Sequence, residues 1–155
     1  MFQFGGMSES TLAATTASDV ARGVARLFAR NDIWCLTEMP LRNGRRADMM
    51  GIDAKGQVII VEIKVQRGDL LGDGKWPDYL DFCDRFFWAV PLGFDTAPLD
   101  TPVFLPERTG VIIVVTVTMI DDLALPGFSG NTPVVVRLAA AFFGRDLAHS
   151  QPGLE

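Results

Sequence analysis

The chain reads as an α/β domain with a central mixed β-sheet flanked by helices. Three features of its 155 residues predict this class. An amphipathic helical stretch near the N-terminus precedes three strand-like runs. Two strongly apolar runs further on suit central strands. Segments with helical spacing lie between and after them, giving the order α-β-β-β-α-β-β-α. The length is that of one domain with a real core.

Taken in order, residues 1–16 are rich in Ser, Thr, Gly and Ala without periodicity and are expected to form a flexible tail before a single domain over 17–155. Ser18 or Asp19 is placed to cap a helix whose apolar positions Val20, Val24, Leu27 and Phe28 share a face, ending near Asn31. Ile33 to Leu41 has strand character and stops at Pro40 and the Asn43-Gly44 turn signal. Arg45 to Asp53 and Gln57 to Val65 are the next two strands. Gly68 to Gly74 is a glycine- and aspartate-rich loop, and Lys75 to Cys83 a short helix that tolerates Pro77 in its first turn. Arg85 to Val90 and Gly110 to Met119 are apolar enough for central strands, with a Pro-rich loop between them. A last helix is expected over Arg137 to Ala148. There is no internal repeat and no domain linker.

Composition narrows the function classes. Hydrophobic residues are 48% and charged residues 21% of the chain, the balance of a globular protein. The longest apolar run, Val111 to Ile120, is about half of what a membrane-spanning helix needs. No export signal is evident at the N-terminus, so a cytoplasmic location is expected. Cys35 and Cys83 sit apart in apolar surroundings and His149 stands alone, so zinc fingers and histidine-based metal sites are excluded for a monomer. The net charge of −5 argues against coating nucleic acid by bulk electrostatics. Between Arg42 and Arg85, however, eight bases balance eight acids, so the excess of acid lies elsewhere.

The chemistry concentrates in one hairpin. Asp53-Ala54-Lys55-Gly56-Gln57 is a turn in which Gly56 is free to adopt a left-handed conformation. If residues 54–56 form a three-residue loop, residue 53 faces 57 and paired positions sum to 110. Asp48 and Glu62 also sum to 110, which places them directly opposite each other on one sheet face. Lys64 shares that face, because side chains alternate along a strand, while Val61, Ile63 and Val65 form a core face. Two opposed carboxylates repel. A hard cation such as Mg²⁺ between them removes the penalty, since it takes oxygen ligands and keeps several waters. Lys64 is then placed to orient or deprotonate the attacking water, or to stabilise charge on a phosphate. Taken by itself, Glu-x-Lys on an amphipathic strand is more often a solvated face.

Asp48, thirteen intervening residues, then Glu62-Ile63-Lys64 resembles the Asp…(Asp/Glu)-x-Lys signature of the PD-(D/E)xK, restriction-endonuclease-like superfamily. The longer stretch from residue 44 to 91 is similar to the MmcB-like family of DNA-repair nucleases. Its most distinctive part runs from Lys75-Trp76-Pro77-Asp78-Tyr79 to Cys83-Asp84-Arg85-Phe86. The resemblance is close over about a third of the chain and loose over the N-terminal helix. It implies an α-β-β-β-α-β core, Mg²⁺ or Mn²⁺ held by Asp48, Glu62 and the Ile63 backbone carbonyl, and Lys64 as the catalytic lysine. An additional catalytic glutamate is common in the superfamily, and Glu38 is the candidate; an ordinary polar residue on an edge strand is its alternative. The chain departs from the family pattern after the Pro-rich loop. The strand there is followed by Ile120-Asp121-Asp122-Leu123 and a Pro/Gly-rich stretch instead of a basic helix.

Around the hairpin, Arg45 and Arg46, with Arg42, are candidate phosphate contacts or simply a solvated basic turn. Lys75 and Tyr79 are helical neighbours that can face one cleft. Trp76 is a candidate base-stacking residue or a packed aromatic. Asp69 and Asp73 are either further metal oxygens or caps of the following helix. The function these features predict is metal-dependent endonucleolytic hydrolysis of DNA in repair. The alternative is a non-catalytic DNA- or protein-binding module that retains the fold. DNA, a second copy of the chain and repair-pathway proteins are the partners this allows, with no membrane.

Overall fold

The computed structural model describes residues 15–115 and 134–137. Most of the expected N-terminal tail and of the expected last helix therefore lies outside the described residues. The first helix, α1, spans Ala17–Arg30. Its cap is Thr16, not Ser18 or Asp19. The Thr16 hydroxyl accepts from the Asp19 amide while the Asp19 carboxylate accepts from the Thr16 amide, a capping box that satisfies two end amides at once. The predicted stripe is the buried one: Val20, Val24 and Phe28 are fully covered and Leu27 packs beside them.

Six strands follow: β1 Trp34–Pro40, β2 Arg46–Ile52, β3 Val58–Ile63, β4 Arg85–Pro91, β5 Thr109–Val114 and β6 Val134–Arg137. They lie in sequence order across one mixed sheet. β1–β2, β2–β3 and β5–β6 are antiparallel, whereas β3–β4 and β4–β5 are parallel. A short helix, α2 (Arg67–Leu71), and a 3-10 helix (Trp76–Phe82) make the crossover from β3 to β4. The α-β-β-β-α-β order is as expected. Three local expectations change. Part of the glycine-rich loop is helical, the segment after it is 3-10 instead of α, and Arg137 ends a strand where a helix was expected to begin.

The sheet is covered on both faces. α1 lies over one of them, with Ile33, Met49, Ile59, Val61, Phe87, Ala89, Ile112 and Val114. Gly23 on α1 and Gly51 on β2 let helix and sheet close: a Cβ on Gly23 would meet Val114 Cγ1 at 2.3 Å, and one on Gly51 would meet Ile33 Cγ2 at 2.8 Å. The other face carries an aromatic layer in which Trp76 packs against Trp88 with centroids 5.4 Å apart, and Phe86 and Phe104 complete the cluster. The consequence for the site is direct. The face of β3 bearing Ile60 and Glu62 is an interior one, not the solvated face usual for Glu-x-Lys.

Candidate active site on the β2–β3 hairpin

The hairpin closes as its turn residues dictate. The Asp53 amide donates to the Gln57 carbonyl at 3.1 Å, and Gly56 takes φ 76°. The Asp53 carboxylate accepts from the Lys55 and Gln57 amides and pairs with Arg85 at the start of β4. Asp84 adds a second tie, accepting from the Val58 amide at 2.7 Å. These bonds lock the hairpin to β4, and the observed pairs Ile52–Val58, Gly51–Ile59, Met50–Ile60 and Met49–Val61 all sum to 110. The register predicted from the turn is the register of the fold.

At the next row the backbone ladder gives way to side chains. The Asp48 amide donates to Glu62 Oε1 at 3.1 Å, and the Ile63 amide donates to Asp48 Oδ2 at 2.8 Å. The two carboxylates thus meet across the strands, each anchored by the other strand's backbone. Their second oxygens, Oδ1 and Oε2, accept no hydrogen bond among the described residues. Glu62 is only 5% exposed. Burial, and then the Asp48 charge, push its carboxyl up to about 8. Burial also raises Asp48, reinforced by the charge of Glu38 and opposed by the Ile63 amide and by Lys64.

This row is also where both strands lose their regular alternation. Glu38 would pair with Asp48 in the β1–β2 register, since the flanking pairs Thr37–Met49 and Met39–Ala47 sum to 86, but that pair is missing. Glu38 has φ 55°, a left-handed conformation that is sterically costly for a residue with a Cβ. Beyond it Met39 and Ala47 face the aromatic layer, although Cys35 and Met49, at odd positions like theirs, face α1. Glu38, Asp48 and Glu62 therefore occupy one row across three strands. The Glu38 carboxylate turns to Arg46, 2.6 Å away, instead of to the other two acids.

Lys64 lies two residues beyond Glu62, its backbone amide still bound to Ala89 on β4. Its Nζ sits 5.9 Å from the centre of the Trp88 ring and pairs with Asp73 at 2.8 Å, both side chains largely covered. Asp73 is thus the residue that the sequence reading under-weighted. It caps no helix: the 3-10 helix starts at Trp76, after Lys75, without a side-chain cap. Its signal was its place in a loop that the β3–β4 crossover must return past Lys64.

The expected DNA contacts divide. Trp76 is 2% exposed inside the aromatic layer, so its ring is no stacking platform. Tyr79 is buried, donates its hydroxyl to the Arg46 carbonyl at 3.0 Å, and has that hydroxyl pushed up to about 12 by burial and by Glu62. Arg45 pairs with Asp78, whose carbonyl also accepts from Asn43. The Lys-Trp-Pro-Asp-Tyr segment is therefore a clamp that holds the start of β2 beside Asp48. Lys75 alone of this group is exposed without a side-chain partner among the described residues.

Among the described residues no three Asp, Glu, His or Cys side chains form a metal-ligand cluster. What the site offers a cation is a facing pair of carboxylates, Glu62 buried and Asp48 half-buried, each with one oxygen uncommitted among the described residues. That set fits a hard ion such as Mg²⁺, which takes one or two protein carboxylates and keeps its remaining ligands as water. It does not fit zinc, whose sites take three or four protein ligands, usually with His or Cys among them.

Comparison with known proteins agrees with the architecture. A solved structure of the SPO1766 protein of unknown function from Silicibacter pomeroyi is similar at 29% identity, with a TM-score of 0.56, covering 81% of this chain and 73% of that one. No curated protein matches the chain. No helix among the described residues is long and apolar enough to cross a membrane. The family model for DNA repair protein MmcB-like matches residues 7–132, far beyond the 44–91 stretch that carried the resemblance and past the point where the C-terminal pattern departs. The chain belongs to the MmcB-like family of DNA repair proteins.

Proposed function

We propose that this chain is a metal-dependent deoxyribonuclease of the PD-(D/E)xK, restriction-endonuclease-like type, which hydrolyses phosphodiester bonds in DNA. The observation that carries it is the facing pair of half-buried Asp48 and buried Glu62, with Lys64 two residues beyond Glu62, just past the end of β3. A protein has no structural need to bring two repelling carboxylates together, one of them buried, at a row where the backbone is also strained. Such arrangements are typical of functional sites.

Asp48, Glu62 and the Ile63 carbonyl would hold Mg²⁺ or Mn²⁺, which supplies Lewis-acid stabilisation of the charge that builds on the scissile phosphate. Lys64 Nζ, held by Asp73, orients the attacking water and offsets negative charge on the phosphate. Glu38, in the same row, would take up a proton from that water once its pairing with Arg46 is released. The aromatic layer keeps bulk water off the inner side of Glu62, which strengthens each of these interactions.

The purified protein with Mg²⁺ or Mn²⁺ should cut or nick DNA, and chelation should stop it. Lys64→Ala should lower the rate by roughly 10²-fold or more. Cleavage that survives Asp48→Ala and Glu62→Ala unchanged would place the chemistry elsewhere. One observation favours a second reading, a non-catalytic DNA- or protein-binding module. Both carboxylates already have backbone partners, and Lys64 already has Asp73. That reading predicts DNA binding with no cation bound at the pair in calorimetry.

A further inference from the structure

Trp34, Leu36 and Ile52 are apolar side chains left 85%, 66% and 49% exposed. They are contiguous. Trp34 pairs directly with Ile52, and Leu36 follows two residues along β1 on the same face. Cys35 between them packs toward α1, so the exposed strip lies on the opposite face, the one that carries Glu62. The aromatic layer covers that face over β3 and β4 and reaches edge strand β1 at Met39, leaving Trp34 and Leu36 uncovered. From Trp34 the strip leads to the row of Glu38 and Asp48, four residues further, about 13 Å at the rise of a strand.

We propose, on the nuclease reading above, that Trp34 is a stacking platform for an unpaired base of the DNA strand whose phosphate lies at Asp48 and Glu62. The substrate class is then single-stranded DNA, or a duplex carrying unpaired bases. Each nucleotide has an apolar base face and an ionised phosphate, and an indole on an otherwise aliphatic strip suits the first while leaving the second to the site. At the ~3.4 Å spacing of a stacked strand, 13 Å is about four nucleotides, within the reach of a single bound segment. Bases paired inside a duplex keep their faces stacked on one another and offer the ring nothing. A second copy of this chain is the other occupant an apolar strip can take. Three side chains fall well short of the ~20–30 residues a side of a stable interface.

The chain has three tryptophans, and Trp76 and Trp88 are buried, so indole quenching by DNA reports on Trp34. Emission should be titrated with a short oligothymidylate and with a blunt duplex, in Ca²⁺. The single strand should quench strongly and the duplex weakly. Trp34→Ala should abolish the quenching and weaken single-strand affinity roughly 5- to 150-fold, while Trp34→Phe keeps most of it. Unchanged affinity in Trp34→Ala, or equal quenching by the duplex, overturns the platform. So does a wild-type dimer in sedimentation that Trp34→Ala dissolves with DNA affinity intact. Stacked binding without any cleavage in Mg²⁺ or Mn²⁺ would instead remove the nuclease reading and leave the platform standing.

Discussion

The Asp48 amide donates to the Glu62 carboxylate at 3.1 Å while the Asp48 carboxylate accepts from the next amide along β3, that of Ile63. The two residues exchange side chain for backbone at the row where the β2–β3 ladder ends. Two acids, Glu62 buried and Asp48 half-buried, are thereby held together without a basic group between them. The tension this leaves is the source of the first expectation below.

Stability should depend on pH in a defined direction. Glu62 holds its proton up to about 8 in the folded state, against 4.5 for a free carboxyl. Between those values the folded chain binds a proton that the unfolded chain has lost, so raising the pH through this window lowers stability. Urea unfolding in chelator should show a loss of up to a few kcal/mol between pH 5 and pH 8, and Glu62→Gln should flatten it. Mg²⁺ should restore more stability at pH 8 than at pH 5, because cation and proton compete for the same oxygens.

Glu38 should trade stability for function. Its left-handed backbone is strained for glutamate but accessible to asparagine. Glu38→Asn is expected to gain about 0.5–1 kcal/mol in urea unfolding, since the exposed pair with Arg46 contributes little. The same variant should lose cleavage activity. A destabilised variant would mean that the conformation is imposed by neighbours and carries no strain for asparagine to relieve.

Asp73 should act through Lys64. Asp73→Asn removes the ion pair at 2.8 Å and frees a long side chain in a largely covered site. The cleavage rate should fall about 10- to 100-fold with little change in KM, and the pH–rate profile should shift. Asp73→Glu, which can still reach the ammonium, should recover part of the rate. An effect on folding alone, with the rate per folded molecule unchanged, would leave Asp73 a structural residue.

Tyr79 should matter through its hydroxyl. Tyr79→Phe keeps the ring in the aromatic layer and removes the bond to the Arg46 carbonyl. The expected loss is about 1 kcal/mol in chemical unfolding. DNA affinity should stay the same, because the ring is buried; a drop in affinity with unchanged stability would restore Tyr79 as a contact.

What was legible from the chain alone was local. Four apolar positions at helical spacing define α1, and the five-residue turn from Asp53 to Gln57 sets the pairing of Asp48 with Glu62. Both depend on neighbours a few residues away, where backbone geometry leaves few choices. The MmcB-like signature was legible for the same reason, as a contiguous run of uncommon residue types. Tertiary structure decided the rest. Trp76 and Tyr79 became a clamp, because burial depends on which segment folds over β2 and β4, and no period in 75–83 reports that. Asp73 met Lys64 only because the β3–β4 crossover returns over the site. The left-handed Glu38 has no sequence mark at all. It stands at the row where the β1–β2 pairing of Glu38 with Asp48 is missing. Sequence thus determined which acids oppose each other. The three-dimensional fold decided that Glu62 is buried and Asp48 half-buried, and burial is what lifts Glu62 to about 8.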